Sequence, residues 1–179
     1  MTLLDLIFSV SLVATLSAVA VPQSLAAIDR IRTVSAARHL ASRMAMARTQ
    51  AVMRSSYVAL RFEENSSGIA FRTYADGNGN GVRTADIAAN IDRPLDSPTF
   101  LSDQFPGVAI AVSGSAGSDP VRLGLTNILS FTPLGTSTAG SIYVRGRDQS
   151  QYVVRILGST GRTRIQRYVE HIREWVDSL

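Results

Sequence analysis

Three patterns of apolar and polar positions follow one another along the chain. From Leu3 to Val21 nearly every side chain is apolar or small, with the one carboxylate of Asp5 near the start. Twenty helical residues at a 1.5 Å rise cover about 30 Å, the thickness of a bilayer's hydrocarbon core, so this run predicts a transmembrane helix. Ser9, Ser11, Ala14, Thr15, Ser17 and Ala18 are small enough to admit a neighbouring helix. Past Pro22 the pattern becomes amphipathic. Val34, Ala37, Ala41 and Met44 recur at helical spacing, and Leu40, Ala47 and Ala51 join the same face. Ser35, Arg38, His39, Ser42, Arg43 and Gln50 fall on the other. Arg48 interrupts the apolar stripe, where its stem can pack while its head reaches water. One helix is predicted from about residue 2 to residue 55, kinked or loosened at Pro22, which has no N–H to donate.

From Tyr57 the period shortens to that of strands. Tyr57–Phe62, Ile69–Tyr74, Val108–Val112, Val121–Leu125, Ile128–Phe131, Ser141–Arg145, Tyr152–Leu157 and Thr163–Tyr168 are short runs rich in Val, Ile, Tyr and Phe, bounded by Gly, Ser, Asn or Asp. Their close spacing favours antiparallel hairpins. Arg83–Pro106 holds three prolines and is expected to be mostly loop, and SGSAGSDP (Ser113–Pro120) a flexible turn. Val169, Ile172, Val176 and Leu179 suggest a short terminal helix. The fold class is therefore α+β: a long N-terminal helix packed on a small antiparallel β domain. Its expected divisions are a transmembrane helix over 1–22, an amphipathic extension over 23–56, the β domain over 57–168 and a C-terminal helix over 169–179.

Composition narrows the function. A length of 179 residues suits one compact domain plus a membrane helix. The formal charge is +4, and every Lys or Arg is an arginine, which permits anionic partners without requiring them. There is no cysteine, hence no disulfide framework, thiolate metal site or cysteine nucleophile. A secretory signal peptide is the rival reading of the first run, but no basic residue precedes Arg30. That same asymmetry, with Arg30, Arg32 and Arg38 after the run, would by itself put the C-terminal part in the cytoplasm. A basic leader removed from the front or absent from the recorded sequence would reverse this.

Candidate chemistry is sparse. In DGNGNGVR, Asp76, Asn78, Asn80 and Gly81 match positions 1, 3, 5 and 6 of a calcium loop. The closing glutamate position falls on Ile87, which cannot ligate, and Asp86 is one residue early. Gly and Asn also build tight turns without an ion, and that is the favoured reading. His39 and His171 have no metal-like spacing. No G-x-S-x-G elbow or phosphate-binding loop occurs. No catalytic residue, cofactor or firm metal site is expected.

MTLLDLIFSVSLVATLSAVAVP, the DGNGNG loop, and SFTPLGTSTAGSIYV followed by GSTGRTRI resemble the type IV pilin-like proteins, most closely the GspH/FimT family of minor pseudopilins and minor pilins. The resemblance implies a structural subunit, not an enzyme, of a type II secretion pseudopilus or a type IV pilus, near the filament tip. It implies a single-pass protein of the bacterial inner membrane with the β domain in the periplasm. Its partners would be major and minor pseudopilins or pilins, a prepilin peptidase, and exported substrate or DNA. Met1 would be the first mature residue, left when the peptidase removes a leader and methylates the new amine. Family members usually carry Phe at the Met1 position and Glu at the Asp5 position. Pro22 matches the family's helix-kinking proline. The carboxylate of Asp5 would pair with the terminal amine of an adjacent subunit, because an unpaired charge in low dielectric is costly. Some FimT-like members bind DNA through Gly-Arg-x-Arg, and that motif falls on Gly161, Arg162 and Arg164. Arg162 and Arg164 would share one strand face, with Arg155 and Arg167 extending the patch. The alternative for this stretch is a solvated strand, its arginines neutralised by Glu170, Glu174 and Asp177.

Overall fold

The structure, a computed structural model, describes residues 2–112 and 118–178. Met1, residues 113–117 of the expected Ser113–Pro120 turn and Leu179 lie outside the described residues. Helix α1 runs Leu3–Arg54, unbroken through Pro22. Thr2 starts it: the Thr2 hydroxyl accepts the Asp5 N–H at 3.3 Å and the Asp5 carboxylate accepts the Thr2 N–H at 2.9 Å. This is a reciprocal capping box, and it satisfies two N–H groups that a helix start leaves without partners. Ser55, in the left-handed region at φ 49°, ends the helix by donating to carbonyls of its last turn.

Every α1 residue from Leu3 to Ile28 is exposed. Burial then begins abruptly. Thr33, Ala36, Ala37, Leu40, Met44, Ala47 and Ala51 are buried and lie on one helical stripe. Val34 and Ala41 flank it, partly buried. Four of the buried residues are alanines, so the sheets can approach the helix closely.

Two antiparallel sheets receive that stripe. In the first, β1 (Val58–Asn65) pairs with β2 (Gly68–Ala75) and with β7 (Ile128–Phe131), while short β3 (Arg93–Pro94) and β4 (Thr99–Phe100) add to the far edge of β2. In the second, β8 (Gly140–Arg145), β9 (Gln151–Leu157), β10 (Arg162–Val169) and β11 (Glu174–Asp177) form a meander, and β5 (Ala109–Ile110) and β6 (Val121–Arg122) pair with β8. Alternation sends Phe62, Phe71 and Phe131 from the first sheet, and Ile142, Val144, Val154 and Ile156 from the second, into one core against Leu40 and Met44. Ala59, Tyr74, Val82 and Ile128 form a second, smaller cluster.

Each of the eight expected strands overlaps an observed one. Two expectations fail. Arg83–Pro106 is not mostly loop: it holds α2 (Thr84–Ala88), β3, β4 and α3 (Leu101–Gln104). Two carboxylates stitch it down, as described below. The expected helix over 169–179 is instead β11, the second arm of a hairpin with β10. Arg173 takes a left-handed turn conformation at φ 54°, and Tyr168 pairs directly with Trp175. The Trp175 ring also meets Tyr143 edge-on at 5.5 Å. An isolated helix of this length is marginal in water, and a cross-strand aromatic pair on a ready sheet edge outweighs its apolar periodicity.

Candidate functional site

The exposed half of α1 is the first functional surface. Among the described residues it is the one helix apolar and long enough to cross a membrane, with a mean hydropathy of 2.1 over its best 18 residues. Within the single chain the Asp5 carboxylate closes on its own helix start rather than standing free. Serine and threonine hydroxyls along this half donate back to helix carbonyls, as Ser11 does to Ile7 at 2.8 Å and Thr15 to Leu12 at 2.9 Å, which satisfies those donors within the helix itself.

The Asp76–Arg83 loop closes by hydrogen bonds of its own. The Asp76 carboxylate accepts the backbone N–H groups of Asn78, Gly79 and Gly81 at 2.8–3.0 Å. Asn78 accepts the Asn80 N–H at 3.2 Å. Gly79 and Gly81 hold positive φ. Asp92, missed in the sequence, is fully buried and accepts the N–H groups of Gly77 and Arg83 at 3.0 and 2.9 Å. These bonds account for the tight turn. Asp86 lies on α2, and no group of three or more metal-ligating side chains forms among the described residues.

The arginines of the C-terminal hairpin separate into two faces. Arg155 stands directly across from Arg164 in the β9–β10 ladder, and Arg162 lies two residues from Arg164 on the same outer face. With Leu157, Gln166 and Trp175 they line a shallow groove of about 710 Å³. Arg167 does not extend this patch. It lies on the inner face with Ile165, opposite the buried Tyr152. Gly161 also faces inward. It is buried at φ 61°, and a Cβ there would come within 3.0 Å of the Gly135 carbonyl oxygen. Its smallness serves the packing of the hairpin on the domain rather than the approach of a ligand. The tail supplies a countercharge from a strand: Asp177 lies 3.6 Å from Arg164 Nε and accepts a hydrogen bond from Gln166 at 3.0 Å. Arginines paired directly across a ladder repel, and one exposed carboxylate offsets this in part.

Three further contacts, none of them visible in the sequence, fix α1 to the sheets. Arg43 forms an ion pair with Asp96, whose carboxylate also accepts the Thr73 N–H and hydroxyl, each at 2.8 Å. Arg48, the residue that breaks the apolar stripe, donates through Nε to the Gly135 carbonyl at 2.8 Å. The buried Thr33 sits against Gly146 in the β8–β9 turn, where any side chain on the glycine would collide with its hydroxyl. His39 packs on Phe105, ring centroids 5.7 Å apart. Burial lowers its pKa below the ordinary value, and the nearby Arg43 charge adds to the effect.

An exposed, membrane-length half-helix continuous with a half that walls an antiparallel β domain is the plan of a pilin-like subunit. The model of the family described as type II transport protein GspH matches residues 36–161. The chain belongs to that family, the pilin-like minor pseudopilins. Among solved structures it is similar to that titled "Structure of the minor pseudopilin EpsH from the Type 2 Secretion System of Vibrio cholerae", with 12% identity over 75% of this chain and 95% of that one and a TM-score of 0.49. No curated protein matches.

Proposed function

We propose that this chain is a minor pseudopilin held in the bacterial inner membrane by residues 1–22, with its β domain in the periplasm, and built into a type II secretion pseudopilus near its tip. The observation that supports it is the abrupt change along α1, from complete exposure through Ile28 to a buried stripe from Thr33. A helix whose apolar half lacks any cover in its own chain needs lipid or the helices of other subunits around it. Prepilin peptidase would expose and methylate Met1, and other pseudopilins would pack on the small residues of α1. Opening of the Thr2–Asp5 box would free the carboxylate for the terminal amine of a neighbour, with Pro22 giving the helix room to bend. Deletion of the chain in its host should stop export of a type II substrate, and re-expression should restore it. Secretion intact with pili lost would move the chain to the type IV pilus. Asp5→Ala should leave the β domain folded yet keep the subunit out of filaments, and normal incorporation would refute the pairing role.

A second reading, DNA capture, is favoured by one observation: Arg155, Arg162 and Arg164 converge on one groove beside Trp175. Such contacts would go to phosphates and would be sensitive to salt. Full chain in detergent should retard DNA at low salt, and the Arg162→Ala, Arg164→Ala double variant should not. Equal retardation, or none by either protein, removes this reading.

A further inference from the structure

We infer that the membrane-proximal end of the β domain is a seat for anionic phospholipid headgroups, built from Arg30 and Arg32 on α1 and Arg147 on the β8–β9 turn. The inference rests on the membrane-anchoring reading above. Three observations carry it. First, apolar exposure does not stop at Pro22. Leu25, Ile28 and Ile31 are 58%, 43% and 63% exposed at three-residue spacing, a stripe that outlasts the hydrocarbon span and enters the polar layer. That layer is about 5–8 Å thick on each side of the core, and Arg30 lies about 12 Å beyond Pro22 at the helical rise. Helix side chains lean toward the helix N-terminus, which here is toward the bilayer, so the Arg30 and Arg32 heads fall back into headgroup range.

Second, the fold brings a separate element to the same level. Gly146 abuts Thr33, one turn above Arg30, which sets the β8–β9 turn at the base of the domain. Arg147, the next residue, is exposed, and its Cβ and the Nε–Cζ side of its guanidinium lie over Gly107, 3.1–3.4 Å from where a Cβ would stand. Third, the acidic groups on this face already have partners. Asp29 accepts from Arg32 at 3.2 Å, and Asp148 accepts the N–H and hydroxyl of Ser150. Arg32 and Asp29 cancel as an ion pair and Asp148 keeps its charge under the Ser150 hydrogen bonds, so Arg30 and Arg147 leave these groups net positive. Forked guanidiniums beside an apolar stripe match a phosphodiester above acyl chains. The arginines that follow the apolar run, anomalous as an orientation signal, have a use here as ligands.

The test reconstitutes full chain in nanodiscs of phosphatidylcholine alone or with phosphatidylglycerol and follows hydrogen exchange of residues 146–150. One arginine at an anionic surface is worth about five-fold in occupancy. Exchange at the turn should therefore slow several-fold with phosphatidylglycerol. The slowing should weaken in Arg147→Gln, and it should vanish for the unmutated chain at high salt, a control independent of any variant's folding. Equal exchange in both lipids for an inserted chain overturns the headgroup seat and leaves the anchoring intact. Protection that follows the number of copies per disc rather than lipid charge overturns it in favour of a subunit contact. A chain that fails to insert in either disc removes the anchoring reading and this inference with it.

Discussion

Gly161→Ala tests whether the glycine of the Gly-Arg-x-Arg stretch belongs to the packing or to a ligand surface. The substitution meets two obstacles. Its φ of 61° lies in the left-handed region, which costs an L-residue about 1–2 kcal/mol. The new Cβ would also stand under 3.0 Å from the Gly135 carbonyl oxygen and 3.0 Å from the Arg48 stem. A backbone atom cannot swing away, so the β9–β10 turn or the Gly135 turn must move, adding about 1–3 kcal/mol of overpacking. The sum is roughly 2–5 kcal/mol, on the order of 5–15 °C in Tm for a protein of this size. Gly124→Ala is the matched control. Its φ is 80° and nothing lies within 4 Å of its Cβ position, so it carries the conformational cost alone, about 1–2 kcal/mol. Trp175 is the chain's one tryptophan and sits in the second sheet, so its fluorescence reports melting of the region in question. If Gly161→Ala and Gly124→Ala melt within about 1 °C of each other, the steric argument is wrong.

Three other outcomes are expected. Asp92→Ala takes the acceptor from the part-buried Gly77 and Arg83 N–H groups, and should cost about 1–3 kcal/mol by denaturant unfolding and open the Asp76–Arg83 loop to proteolysis. His39 binds its proton less readily folded than unfolded, so stability should be full above its ordinary pKa of 6.5 and fall as pH drops below it toward the folded value; His39→Gln should flatten that part of the pH profile, and an unchanged profile would count against it. Trp175→Ala removes ring contacts with Tyr143 and Tyr168, worth about 1–2 kcal/mol, and should raise tryptic cleavage at Arg173 roughly tenfold.

Sequence reveals those parts of this fold that depend on a repeating pattern. The apolar run and its amphipathic continuation define α1 to within a residue or two, and period-two alternation locates the β strands because one face of each is buried. It fails where particular side-chain contacts decide. Val169, Ile172 and Val176 carry a helical period, yet Trp175 pairing with Tyr168 makes the segment a strand. Arg83–Pro106 has no period, and its order comes from Asp92 and Asp96 binding backbone groups far away in sequence. The candidate arginines were visible as a motif. Their division between faces depended on register, which puts Arg155 opposite Arg164 and turns Arg167 inward. Gly161 was legible as a glycine and not as a packing element, since its neighbour Gly135 lies in another hairpin.

The helix is held to the β domain at three heights: Thr33 against Gly146, Arg43 on Asp96, and Arg48 on Gly135. Thr33 and Arg48 are separated by about 22 Å of helix. A slip of one residue along α1 would move each contact 1.5 Å and turn it by about 100°, breaking all three together. The joint therefore has no partial slippage, and it behaves as a splined shaft rather than a greased bearing. A pull or a twist applied to the lipid-facing half arrives at the sheets undiminished. Whatever compliance the chain has along α1 must lie below Thr33, in the stretch that contains Pro22.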